Sequence, residues 1–171
     1  MKRKIVILLL IIALLLPGCN NGSNPEHCLF YYLNVQTEFS NYDQVIGYEV
    51  KSIPVGGRDY KAILNEYLSG PKENLLSNPF PVGSLVTDIE IGNKSATITL
   101  NDAFSKLKDY DLSLAFACLV KTTLSLIPTQ TVVLKAQDTF SDGSAYKAFS
   151  AASFLTEDNA KEIGMHEITE E

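Results

Sequence analysis

The chain has 171 residues, 14 of them basic and 20 acidic, for a formal net charge of -6. That length suits one domain with its own core. The acidic balance, with no clustered basic patch, excludes a nucleic-acid reader and a body held to anionic lipid by charge alone.

In chain order, Lys2, Arg3 and Lys4 precede an unbroken apolar run from Ile5 to Leu16. As a helix the run is about 18 Å long, too short for a bilayer core of about 30 Å but suited to a signal peptide. The tetrad Leu16-Pro17-Gly18-Cys19 then resembles a bacterial lipobox. The resemblance implies cleavage before Cys19 and acylation of that residue by palmitate-type chains. Two or three acyl chains at one residue anchor a protein almost permanently, whereas one chain binds marginally. Membrane lipid is thus the first expected partner, at the extracytoplasmic face of the cell membrane. The organisation expected is a signal peptide over 1–18, a polar tether over 19–26, a folded domain over 27–138 and an extension over 139–171.

The segment from His27 to Val35 is rich in strand formers, and Val45 to Ile53 has apolar residues spaced by two, so the pair reads as a hairpin. Tyr60, Ile63, Leu64, Tyr67 and Leu68 fall at helical spacing, predicting a helix over Arg58 to Ser69 that Gly70-Pro71 stops. A loop follows over Lys72 to Ser84, with Pro79, Pro81 and Gly83, and with Leu75, Leu76, Phe80 and Val82 as apolar studs. The clearest hairpin joins Leu85–Ile91 to Ser95–Leu100 through Gly92-Asn93, residues that tolerate positive φ. Asp111 is the expected N-cap of a long apolar helix to Leu126, closed by Pro128, with a strand over Thr131 to Ala136 beyond. Ser141 to Ser144 reads as a turn, Ala145 to Leu155 as either helix or irregular strand, and Thr156 to Gly164 as a short helix. The order β-β-α-β-β-α-β plus a C-terminal extension predicts an α+β fold, a mixed sheet with its two main helices packed on one face.

The residues that carry chemistry are few. His27 and His166 stand near opposite ends of the chain with no ligand at metal spacing. Asp102, Asp109 and Asp111 are explained by turns and caps, and Asp138 to Asp142 lacks most oxygens of a calcium loop. Cys28 and Cys118 read as two separate small apolar side chains, with one extracytoplasmic bridge as the alternative. No catalytic, cofactor-binding or metal-ligating residue is assigned. Tyr31, Tyr32, Tyr42, Tyr48, Tyr60 and Tyr67 all lie in the first half of the chain, where tyrosine serves sheet faces or a binding surface.

Four stretches taken together resemble the GerMN domain of sporulation and spore-germination proteins. They are Leu68-Ser69-Gly70-Pro71, Pro81-Val82-Gly83-Ser84, Leu100-Asn101-Asp102-Ala103-Phe104, and Leu119 to Pro128. The resemblance covers about Leu29 to Gln137 and marks Gly70, Pro71, Pro81, Gly83, Phe104 and Pro128 as structural signature positions. It departs after the last strand, where Gln137-Asp138-Thr139 replaces the usual asparagine or glycine turn, and the chain has room for one copy where some members carry two. The resemblance implies a non-enzymatic interaction module with envelope proteins as partners, in sporulation, germination or envelope assembly, and allows a homo-oligomer. A small-ligand or cell-wall-glycan binding lipoprotein, using a cleft lined by Tyr31, Tyr48 or Tyr60, is the alternative.

Overall fold

A computed structural model describes residues 26–35, 45–54, 56 and 58–153. The signal peptide, Cys19, Tyr42, the short helix expected from Thr156, and His166 lie outside the described residues.

Two antiparallel strands open the fold, β1 (Glu26–Asn34) and β2 (Ile46–Ile53), with Phe30 opposite Glu49 and Tyr31 opposite Tyr48. Helix α1 (Tyr60–Leu68) follows, and the Asp59 side chain accepts the Ala62 N–H at its start. The expected loop contains a two-residue strand, β3 (Leu76–Ser77), that pairs with the end of β1. The hairpin β4 (Val86–Ile91) and β5 (Ser95–Leu100) leads through a 3-10 turn at Asp102–Lys106 into α2 (Asp109–Leu126). Strand β6 (Thr131–Ala136) runs parallel to β5, so α2 is the crossover between them. Strand β7 (Tyr146–Ser150) pairs with β6 and resolves the open choice for that segment in favour of strand.

The fold is α+β in the expected order, and its strands divide between two sheets, β2-β1-β3 and β4-β5-β6-β7. One core lies between them. The inward faces of β1 (Cys28, Phe30, Tyr32) and β5 (Ala96, Ile98, Leu100) meet Leu64, Tyr67 and Leu68 of α1 and Phe116, Cys118 and Leu119 of α2. An aromatic path crosses this core from Phe30 through Tyr67 and Phe80 to Phe104, with ring centroids 5.2, 5.1 and 6.1 Å apart.

Two local expectations change, and one irregularity is added. Helix α2 begins at Asp109 rather than after Asp111, because the extended Lys108 offers its carbonyl to the N–H groups of Asp111 and Leu112. The β4–β5 turn does not use positive φ at Gly92 or Asn93, since Gly92 N–H donates to the Ser95 carbonyl at 2.8 Å and the chain reverses over Asn93 and Lys94. A register shift between Val86 and Asp88 adds one residue to β4. That bulge brings Val86 onto the face that Ile89 and Ile91 share, and Ile91, at the hairpin tip, is 51% exposed.

Candidate functional site

The two faces of the β1–β2 pair differ. Directly opposite residues of an antiparallel pair share a face. Cys28, Phe30 and Tyr32 face the core, with Lys51, Glu49 and Gly47 opposite them. Leu29, Tyr31 and Leu33 turn the other way, opposite Val50, Tyr48 and Ile46. This second face is apolar and aromatic, and β2 leaves Tyr48 56% and Val50 59% exposed. The Tyr31 and Tyr48 rings stand 5.8 Å apart, and the Lys121 ammonium of α2 lies 5.2 Å from the Tyr31 ring centroid. The surface is therefore an aromatic patch beside the Lys121 ammonium.

Helix α2 lies along the other edge of β1 and satisfies it with hydroxyls where a strand would use backbone. Ser125 Oγ accepts the Leu29 N–H and Thr122 Oγ1 accepts the Tyr31 N–H, both at 2.8 Å. The Tyr67 hydroxyl donates to the Tyr31 carbonyl at 2.6 Å, and the Tyr32 hydroxyl donates to the Tyr67 carbonyl at 2.9 Å. Burial pushes the hydroxyls of Tyr32 and Tyr67 well above their ordinary titration range. These bonds hold β1 rigid beneath the open face. Sequence reasoning missed Thr122 and Ser125, whose signal is a pair of hydroxyls three apart within an apolar helix.

On the core side, β2 carries a charged cluster. Lys51 Nζ is 2.5 Å from Glu66 Oε1, and Glu49 Oε2 accepts the Lys72 N–H at 2.9 Å. The hydrogen bond with Lys51 holds the Glu66 carboxyl below its usual range and raises Lys51 in turn. These residues rim a recess of about 120 Å³ floored by Phe30, Tyr32 and Tyr67. The tyrosines expected to line a ligand cleft, Tyr31, Tyr48 and Tyr60, are not among its walls.

The signature positions have structural surroundings. Gly70 sits at φ +112° just after α1, where its N–H reaches the Tyr67 carbonyl, and Pro71 follows. Gly83, at φ +85°, allows the turn in which Ser84 N–H bonds the Pro81 carbonyl. Phe104 is fully buried against Phe80, whereas Pro128 lies beyond the far end of α2. Three asparagine side chains fasten these loops. Asn65 bonds both the N–H and C=O of Val86, Asn78 bonds the Leu68 carbonyl, and Asn101 bonds Gly83 and Leu85.

Cys28 and Cys118 are free buried thiols, so no bridge joins them. Among the described residues no group of histidine, cysteine and carboxylate side chains could hold a metal ion, and no helix is long and apolar enough to cross a membrane. Asp142 serves its turn, bound to Ser144 and to Lys147.

A family model described as "Germane: Sporulation and spore germination" matches residues 29–142. Among solved structures, the tandem GerMN domains of the sporulation protein GerM from Bacillus subtilis superpose with a TM-score of 0.58 at 19% identity, covering 81% of this chain and 50% of that one. The chain thus spans half the length of that structure. A crystal structure of a proposed lipoprotein from Clostridium perfringens aligns over 80% of this chain and 94% of its own at 15% identity, with a TM-score of 0.42. No curated protein matches the chain.

Proposed function

The chain belongs to the Germane family of sporulation and spore germination, and from that premise we propose that it is a non-enzymatic interaction module held outside the cytoplasmic membrane by acylated Cys19. Its partners are membrane lipid, through Cys19, and envelope proteins assembled during sporulation, germination or envelope construction. The observation that supports this reading is the open β1–β2 face, where Tyr31, Tyr48 and Val50 form an aromatic and aliphatic patch beside Lys121. Contiguous apolar patches on soluble domains mark association surfaces, and tyrosine supplies contact area at low entropic cost. The alternative of a small-ligand or glycan site is less favoured, because the recess of about 120 Å³ falls below the roughly 300 Å³ at which ligand pockets begin.

Crosslinking and pull-down from native membranes, through growth and sporulation, tests the proposal. Wild-type protein is expected to recover envelope proteins that a Tyr48→Glu variant recovers poorly, and fatty-acid label is expected on the wild type but not on Cys19→Ala. Recovery of the bait alone at every stage, or unlabelled wild-type protein, overturns the corresponding half of the proposal.

A further inference from the structure

Strand β2 is an edge of its sheet, and the ladder determines which backbone groups it offers. The N–H groups of Leu29 and Tyr31 turn away from β2 toward Ser125 and Thr122. Leu29 with Val50, and Tyr31 with Tyr48, are therefore the pairs that share no hydrogen bonds. It follows that Gly47, Glu49 and Lys51 bond inward to β1, while the N–H and C=O of Tyr48, Val50 and Ser52 point outward. Among the described residues no strand pairs with that outer edge.

The edge lacks most of the usual guards. It is eight residues long, with neither a proline nor a register shift, and Pro54 comes only after it. The one guard it does carry, the inward-pointing charges of Glu49 and Lys51, is of opposite sign at successive core-side positions and becomes a matched pair when two such edges meet.

The edge is also complementary to itself. We infer that β2 pairs antiparallel with β2 of a second copy of this chain, about a two-fold axis at Val50. In that register Val50 exchanges backbone hydrogen bonds with the copy's Val50, and Tyr48 does so with the copy's Ser52. Glu49 then stands opposite the copy's Lys51 on both sides of the axis. The smallest slip that keeps the edge hydrogen bonds is two residues. In one direction it sets Glu49 against Glu49, in the other Lys51 against Lys51, and like charges directly opposite destabilise a sheet. The charges of β2 therefore select one register. Further out, Ile46 meets the copy's Pro54, whose missing N–H ends the ladder. The axis stands perpendicular to the sheet, so both open aromatic faces lie on the same side and join into one surface. This pairing goes beyond the proposed function and depends on neither the lipid nor an envelope partner.

The test uses the full chain in detergent. Paired residues in a hydrogen-bonded register lie about 5.5 Å apart at Cα, within reach of a disulfide. Val50→Cys is expected to form a covalent dimer under mild oxidation, and Tyr48→Cys is not, because its Cα lies opposite Ser52 of the copy. Mixing Tyr48→Cys with Ser52→Cys restores the crosslink. By sedimentation the wild type is expected to be a dimer. Val50→Pro, which deletes an outward N–H without touching the β1–β2 ladder, is expected to weaken that dimer at least about tenfold. A monomeric wild type, equal crosslinking at Val50→Cys and Tyr48→Cys, or a folded Val50→Pro that dimerises normally overturns the inference. If Val50→Pro does not fold, the cysteine pair decides.

Discussion

Thr122 brings a hydroxyl into a fully buried part of α2, where it accepts the Tyr31 N–H and also meets the Tyr67 hydroxyl. Thr122→Val keeps the shape and leaves that N–H unpaired, so a loss of about 1–3 kcal/mol is expected in urea unfolding, with Thr122→Ser largely retaining stability. Titration of the buried acids gives a second expectation. Burial pushes the Cys118 thiol up to about 12, and the Tyr32 and Tyr67 hydroxyls rise for the same reason. The folded state then keeps protons that the unfolded chain releases. The stabilisation is complete below about pH 9, the ordinary thiol range, and drains as pH rises toward 12. Cys118 alone contributes a slope of up to about 1.4 kcal/mol per pH unit in that window. Urea midpoints should hold from pH 8 to about pH 9 and then fall toward pH 11, less steeply in Cys118→Ala.

At the scale of elements, the connections prove as informative as the helices and strands. The exit from α1 was readable, since Gly70 at positive φ and Pro71 act on the chain locally. The start of α2 was not, because the choice between Asp109 and Asp111 rests on which carbonyl faces the helix, and both acids suit a first turn. Nor did the pattern of β4 disclose its bulge, as the spacing of Val86 and Ile89 makes sense only against β5. Asn65 illustrates a long-range fastening by one amide. It behaves as a strand partner for Val86, which is 1% exposed, while sitting on α1. Asn65→Ala improves helix propensity yet orphans both Val86 backbone groups. A net destabilisation of about 1–3 kcal/mol is expected by thermal or chemical unfolding.

For the whole molecule, the division into two sheets around one core leaves one face of β1–β2 turned outward. Tyr48 on that face reaches the core only through the Tyr31 ring, so Tyr48→Glu should cost no more than about 1.5 kcal/mol of folding stability while reducing partner recovery. A variant that lost both together would assign Tyr48 to the fold rather than to recognition. Because Cys28 and Cys118 are free, the thermal midpoint of wild-type protein is expected to be the same with and without a reducing agent. A drop on reduction would contradict the free thiols.

The α+β order, the two helices, both hairpins and the family resemblance were legible in the sequence by itself, because hydrophobic period, helix stops and turn residues act over a few positions. Tertiary structure alone decided that the strands form two sheets, that α2 satisfies the edge of β1 with Thr122 and Ser125, and that Tyr31, Tyr48 and Val50 share an open face. Alternation shows that a strand has two faces. Which of them meets the core, and which is left for a partner, depends on residues tens of positions away that no local pattern records.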